Sequence, residues 1–137
     1  MTLESVAIST SKYITTVNAK IDNHVYIVRK MGAGTQLDLS REITTLAKFR
    51  TTILNLESKM KLAKTEEEQQ QLLDELTPKM EEFDKIIKRI EDIFVSIFDD
   101  REDGTKSRRL VHTLGLDNIQ LVYNEIFEKA EDEPKDA

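Results

Sequence analysis

The sequence predicts a mainly α protein with a small N-terminal β-hairpin (α+β), built from long antiparallel amphipathic helices plus a C-terminal helix pair. Three observations carry that prediction. Apolar residues recur at spacings of three and four between residues 39 and 60 and again between 80 and 97, one helical face in each stretch. Ahead of them, two β-branched runs flank the polar pair Asp22-Asn23, the pattern of a hairpin. Only 4 Gly and 2 Pro occur in 137 residues, too few for a loop-rich or sandwich fold.

Residues 1–12 mix Ser and Thr with scattered apolar residues and read as an N-terminal arm or an edge strand. Residues 13–31 form the hairpin, with Tyr13, Thr15, Val17 and Ala19 alternating on the first strand and Val25 to Val28 on the second. A lone hairpin is marginal in water, so this one has to pack on the helices. Gly32 and Gly34 give the chain a sharp exit, and Thr35 with Asp38 reads as a helix start, a hydroxyl cap followed by an acid. Leu39, Ile43, Leu46, Phe49, Ile53, Leu56 and Met60 then define a helix over about 36–63.

Residues 64–71 are polar, and Thr65 with Glu68 has capping-box spacing. Thr77-Pro78 predicts a kink or a restart, because Pro lacks an amide hydrogen and crowds the preceding turn. From Met80 the stripe Phe83, Ile87, Ile90, Phe94, Ile97 is widened by Ile86 and Ile93 beyond what one facing helix covers. A charged loop over 99–104 leads into a short helix, about 105–114, that Gly115 ends. Asp117 with Gln120 opens a last helix bearing Ile119, Val122, Ile126 and Phe127. Five acids and two Lys follow from Glu128 onward, a composition expected to be disordered. The division that results is an arm (1–12), a single helical domain (13–130) and an acidic tail (131–137).

Composition excludes several functions. A chain of this size buries roughly 68% of its unfolded surface, enough for one core. Its net charge of −6 has the wrong sign for a general nucleic-acid binder. Without Cys it has no thiolate zinc site, disulfide or cysteine nucleophile, which fits a reducing compartment. No apolar run approaches the ~18 residues of a membrane span, and the N-terminus carries no signal core, so a cytoplasmic protein is expected.

Catalytic and metal options are thin. Neither His24 nor His112 has a carboxylate three or four residues away to orient it. The loop after Asp99 places Asp103 and Gly104 at the fifth and sixth positions of a calcium loop, but Arg101 and Leu110 occupy the third and twelfth. Residues 31–35, Met-Gly-Ala-Gly-Thr, lack the lysine of a phosphate loop. The basic cluster Lys106, Arg108 and Arg109 is offset by the acids before it. No cofactor and no catalytic set follow, and partner surface is what remains.

The order of these pieces carries a resemblance. Ile21-Asp-Asn-His-Val-Tyr-Ile-Val-Arg-Lys-Met31 forms a short strand pair, and Gly34-Thr-Gln-Leu-Asp-Leu39 leads into a long helix. A charged helical middle ends in Ile93-Phe-Val-Ser-Ile-Phe98, and Leu110 to Leu114 with Gly115-Leu-Asp-Asn-Ile119 introduces a closing helix. This layout, over roughly residues 12 to 130, resembles the tail assembly chaperones of long-tailed phages and prophages of Gram-positive bacteria. The resemblance implies a non-enzymatic protein of the host cytoplasm. It would bind the tape measure protein and be absent from the mature virion; in many relatives a frameshift adds a second domain that contacts the tail tube protein, the other partner the resemblance implies. The expected contact residues are Leu110, Leu114, Ile119, Val122, Tyr123 and Ile126, on the short C-terminal helices, taking an amphipathic client helix in a groove. Substituting Ile119 and Val122 by Asp is expected to abolish binding with the long helices intact. The competing expectation is a homo-oligomeric scaffold that self-associates through the 80–98 stripe and has no client.

Overall fold

The computed structural model describes residues 5–132. The element order is β1 (Thr16–Ile21), β2 (His24–Arg29), α1 (Ala33–Leu62), α2 (Glu66–Ile97), β3 (Phe98–Asp99) and α3 (Thr105–Asp132). The chain is therefore mainly helical with a small antiparallel sheet, as its periodicity predicts.

The hairpin forms where two β-branched runs meet a turn that tolerates left-handed backbone. Asp22 and Asn23 have φ of 48° and 67°, the paired positive values of a type I′ turn. The register sets Val17 opposite Val28, Ala19 opposite Tyr26 and Ile21 opposite His24. Ala19, Tyr26 and Val28 are buried, so this face of the sheet meets the helices. The strands are shorter than the expected 13–31, because Thr10–Tyr13 form a 3-10 turn and Tyr13 stands exposed. Residues 5–9 carry no regular structure, which corrects the edge-strand reading of that part of the arm. Residues 1–4 and 133–137 lie outside the described residues, as does most of the expected acidic tail.

Two glycines were expected to bend the chain into α1, and neither does so. Gly32 is extended at φ −72° and Gly34 already lies in the helix. Gly32 rather than Thr35 is the N-cap; its carbonyl accepts from the Gln36 amide at 3.0 Å, while the Gln36 side chain donates to the Met31 carbonyl. The second cap is as expected in kind. Thr65 Oγ1 accepts from the Glu68 amide at 3.1 Å, and the Glu68 carboxylate returns to the amide of Lys64. Pro78 neither ends nor restarts α2, which runs through it from Glu66 to Ile97.

The three-residue link between α1 and α2 makes them antiparallel, and a forked Arg89–Glu42 ion pair joins them near their base. Ile86, Ile90, Phe94 and Phe98 fill a core together with the sheet, Leu39 of α1 and Val111 and Ile119 of α3. A second, smaller cluster of Ile53, Leu56 and Leu76 holds the far half of the helix pair. Most of the α2 stripe is covered within the chain: Ile86, Ile90, Phe94, Ile97 and Phe98 are buried and Phe83, Ile87 and Ile93 half-buried, while Met80 is exposed.

After α2 the chain turns directly into β3, where Ile27 pairs with Asp99 and Val28 with Phe98. The loop expected at 99–104 is organised by the buried Asp100. Its Oδ1 accepts from the amides of Glu102 and Gly104, and its Oδ2 from that of Ser107. Burial alone would raise the Asp100 pKa; these amide donors outweigh it and hold the carboxyl below its ordinary value. α3 breaks at Gly115, whose φ of 79° and ψ of 169° separate a first arm (105–114) from a second (116–132). That agrees with the expected cap at Gly115. Residues 128–132 are helical, so the end of the domain is ordered further than its composition suggests.

Candidate partner-binding surface

The six expected contact residues divide by burial. Leu110 (9% exposed), Ile119 (0%) and Tyr123 (8%) belong to the core. The Tyr123 hydroxyl accepts from the Met31 amide at 2.8 Å, and its ring lies 4.8 Å from that of Phe127. Tyr123 therefore fixes the end of the hairpin against α3. Leu114, Val122 and Ile126 are half-buried. Ile119→Asp would place a carboxylate in the core, so the expected double substitution reports on folding before it reports on binding.

Val122 and Ile126 stand one helical turn apart and line a groove of about 500 Å³ between α3 and β1. Val17, Ala19 and Ile21 form its other wall, and Lys20, Asp22, Glu125 and Lys129 stand at its margins. β1 is an edge strand of the sheet, since the strand order is β1-β2-β3. The Lys30 amide donates to the Thr15 carbonyl at 2.8 Å, which places the odd-numbered residues of β1 in the pairing positions. The backbone groups of Thr16, Asn18 and Lys20 consequently face the open edge. The three β1 wall residues were not among the expected contacts, although the alternation of Val17 and Ala19 marks the face they share.

Leu114 lies outside this groove, and Tyr123 lines a different one. That second groove, about 460 Å³, runs between the start of α1 and α3, bounded by Met31, Leu39, Ile43 and Gln120.

Both histidines have partners that spacing along the chain does not reveal. His24 is half-buried. Its Nε2 lies 2.6 Å from the Asp100 carbonyl and donates to it, leaving Nδ1 to accept from Lys106 Nζ at 3.5 Å. Its ring stands edge-on to Tyr26, whose hydroxyl pKa is raised by burial first and by the nearby Asp100 second. His112 is exposed, with Glu91 of α2 at 3.9 Å. In the basic cluster, Lys106 pairs with Glu102 at 3.2 Å and Arg108 with Asp92 at 2.9 Å. Among the described residues, no three His, Cys, Asp or Glu side chains gather as a metal ion would require. No helix among them is long and apolar enough to cross a membrane.

Comparisons with family models, with curated proteins and with solved structures find no match to this chain.

Proposed function

We propose that this chain is a non-enzymatic tail assembly chaperone that binds the tape measure protein of a long-tailed phage in the host cytoplasm. The observation that carries the reading is the open groove between β1 and α3, with Val122 and Ile126 half-buried along one wall. An amphipathic client helix presents anchors at i, i+3, i+4 and i+7. A groove of about 500 Å³ accommodates two or three such side chains. Each buried aliphatic anchor is worth roughly 1.5–3 kcal/mol before ordering costs, so one site binds weakly. Weak binding suits a client that must be shielded along its length and then released, because many copies supply avidity without any single tight contact.

The test is affinity capture of the tagged chain from its phage-producing host, with mass spectrometry for a tape measure protein among what comes along, for the native protein and for Val122→Asp/Ile126→Asp. Both residues are half-buried and also pack against the core, so the melt should fall; capture should be lost at a temperature where the helical circular dichroism of the variant still equals that of the native chain. Capture that survives the double substitution, or no tape measure protein recovered with the native chain, overturns the reading.

A further inference from the structure

The far end of the α1–α2 pair is a second surface, independent of the client groove. Its tip holds a hollow of about 310 Å³ on one face of the helix pair. Leu62, Ala63 and Leu72 supply its apolar part, with Lys59 on the α1 side and Glu75 on the α2 side. Leu62 is 79% exposed, a bare leucine beside an open hollow. Neither the sheet nor α3 contributes to the core cluster there, which consists of Ile53, Leu56 and Leu76 with three half-buried neighbours from the same two helices.

Charge is divided unequally between the two helices at this end. The last turn of α1 carries Lys59 and Lys61, and the first turn of α2 carries Glu66, Glu67 and Glu68. We propose that two copies of this chain associate face to face through these tips, each Leu62 entering the hollow of the other. A two-fold axis along the helix pair sets α1 of one copy over α2 of the other, so that basic faces acidic in both halves of the interface. A two-fold across the pair sets α1 over α1, like charge over like, and is disfavoured. In the favoured arrangement Lys59 of each copy faces Glu75 of the other.

The experiment is sedimentation equilibrium of the full chain at 50 mM and 500 mM salt, with Lys59→Glu, Glu75→Lys, the double reversal and Leu62→Asp. The native chain should dimerise, more weakly at high salt. Each single reversal should raise the dissociation constant roughly ten-fold or more, through two like-charge contacts per dimer. The double reversal, and an equimolar mixture of the two singles, should return it to within about three-fold of native, since both recreate Glu–Lys pairs. Leu62→Asp should give monomer with unchanged helix content. If Leu62→Asp unfolds the tip, the charge exchange still decides, because Lys59 and Glu75 are exposed. A chain that stays monomeric at about 100 µM in low salt overturns the proposal. So does a dimer indifferent to both reversals.

Discussion

Asp100 offers a graded test of how the three parts of the fold are joined. Its carboxylate is 1% exposed and accepts three backbone amides, at 2.9 Å from Glu102, 3.1 Å from Gly104 and 3.1 Å from Ser107. The last of these fastens the start of α3, and the Ser107 hydroxyl in turn donates to the Phe98 carbonyl of β3, with the Val95 carbonyl of α2 3.3 Å away. The Asp100 carbonyl takes the His24 bond from the hairpin. In Asp100→Ala, water reaches the amides of Glu102 and Gly104, at about 1 kcal/mol each for the lost bond. The Ser107 amide sits beside a buried side chain and stays unpaired, at about 1–3 kcal/mol. The sum is about 3–5 kcal/mol, or a fall of roughly 10–20 °C in Tm for a chain of this size. Asp100→Asn keeps an acceptor for Glu102 and Gly104 but turns its amide toward the Ser107 N–H, donor against donor. It should lose about 1–2 kcal/mol.

The pH dependence separates this account from a simple packing loss. Asp100 has a native pKa below its ordinary 3.8, so its stabilisation is full above the unfolded value and is lost as pH falls through the native one. Asparagine does not titrate. Urea unfolding should therefore show a native-minus-Asn difference that is constant above about pH 5 and narrows below about pH 4. A difference below about 0.5 kcal/mol at pH 7, or one that keeps its size at pH 3, refutes the argument.

Two backbone predictions follow from φ, ψ and helix position. Gly115 lies at φ 79°, ψ 169°, a region held essentially by glycine alone, while the space around it is open. Gly115→Ala should cost about 1–3 kcal/mol by thermal melting, all of it backbone strain. Pro78 sits inside α2 and leaves the Asp74 carbonyl without its amide donor. Pro78→Ala should raise stability by about 1–3 kcal/mol in urea unfolding, and an unchanged midpoint would show the break to be already compensated.

What the sequence discloses about this fold is the part that local chemistry decides. The cap at Thr65 and the left-handed turn at Asp22-Asn23 depend on residues within four positions of one another, and both are legible. β3 is not. Phe98 reads as the end of a helical stripe and Asp99 as the start of a loop, and the pair becomes a strand because Ile27 and Val28, some seventy residues earlier, present a free edge. Pro78 misleads for a related reason. It is a strong local breaker, but Leu76 and Phe83 on either side of it pack in the cluster with Ile53 and Leu56, and that packing holds the helix through the break. The start of α1 escapes because Gly32 caps it by backbone geometry, with no side-chain signal.

The candidate surface shows the same limit at the scale of one helix. Ile119, Val122, Tyr123 and Ile126 lie on one apolar arc of α3, and periodicity treats them alike. The structure divides them because different parts of the chain cover the two sides of the arc. Met31 meets Tyr123 across 92 positions, whereas β1 stands off from Val122 and Ile126 and leaves the groove. If that groove takes the client, the contact belongs jointly to a strand and a helix from opposite ends of the sequence. Val17→Asp on β1 should then weaken capture of the tape measure protein about as much as Val122→Asp, roughly ten-fold in a pull-down titration, with the helical signal of both variants intact. Capture that depends on Val122 and ignores Val17 would mean that the client lies on the helix alone, and that the strand edge beside it is only the wall of an unused cleft.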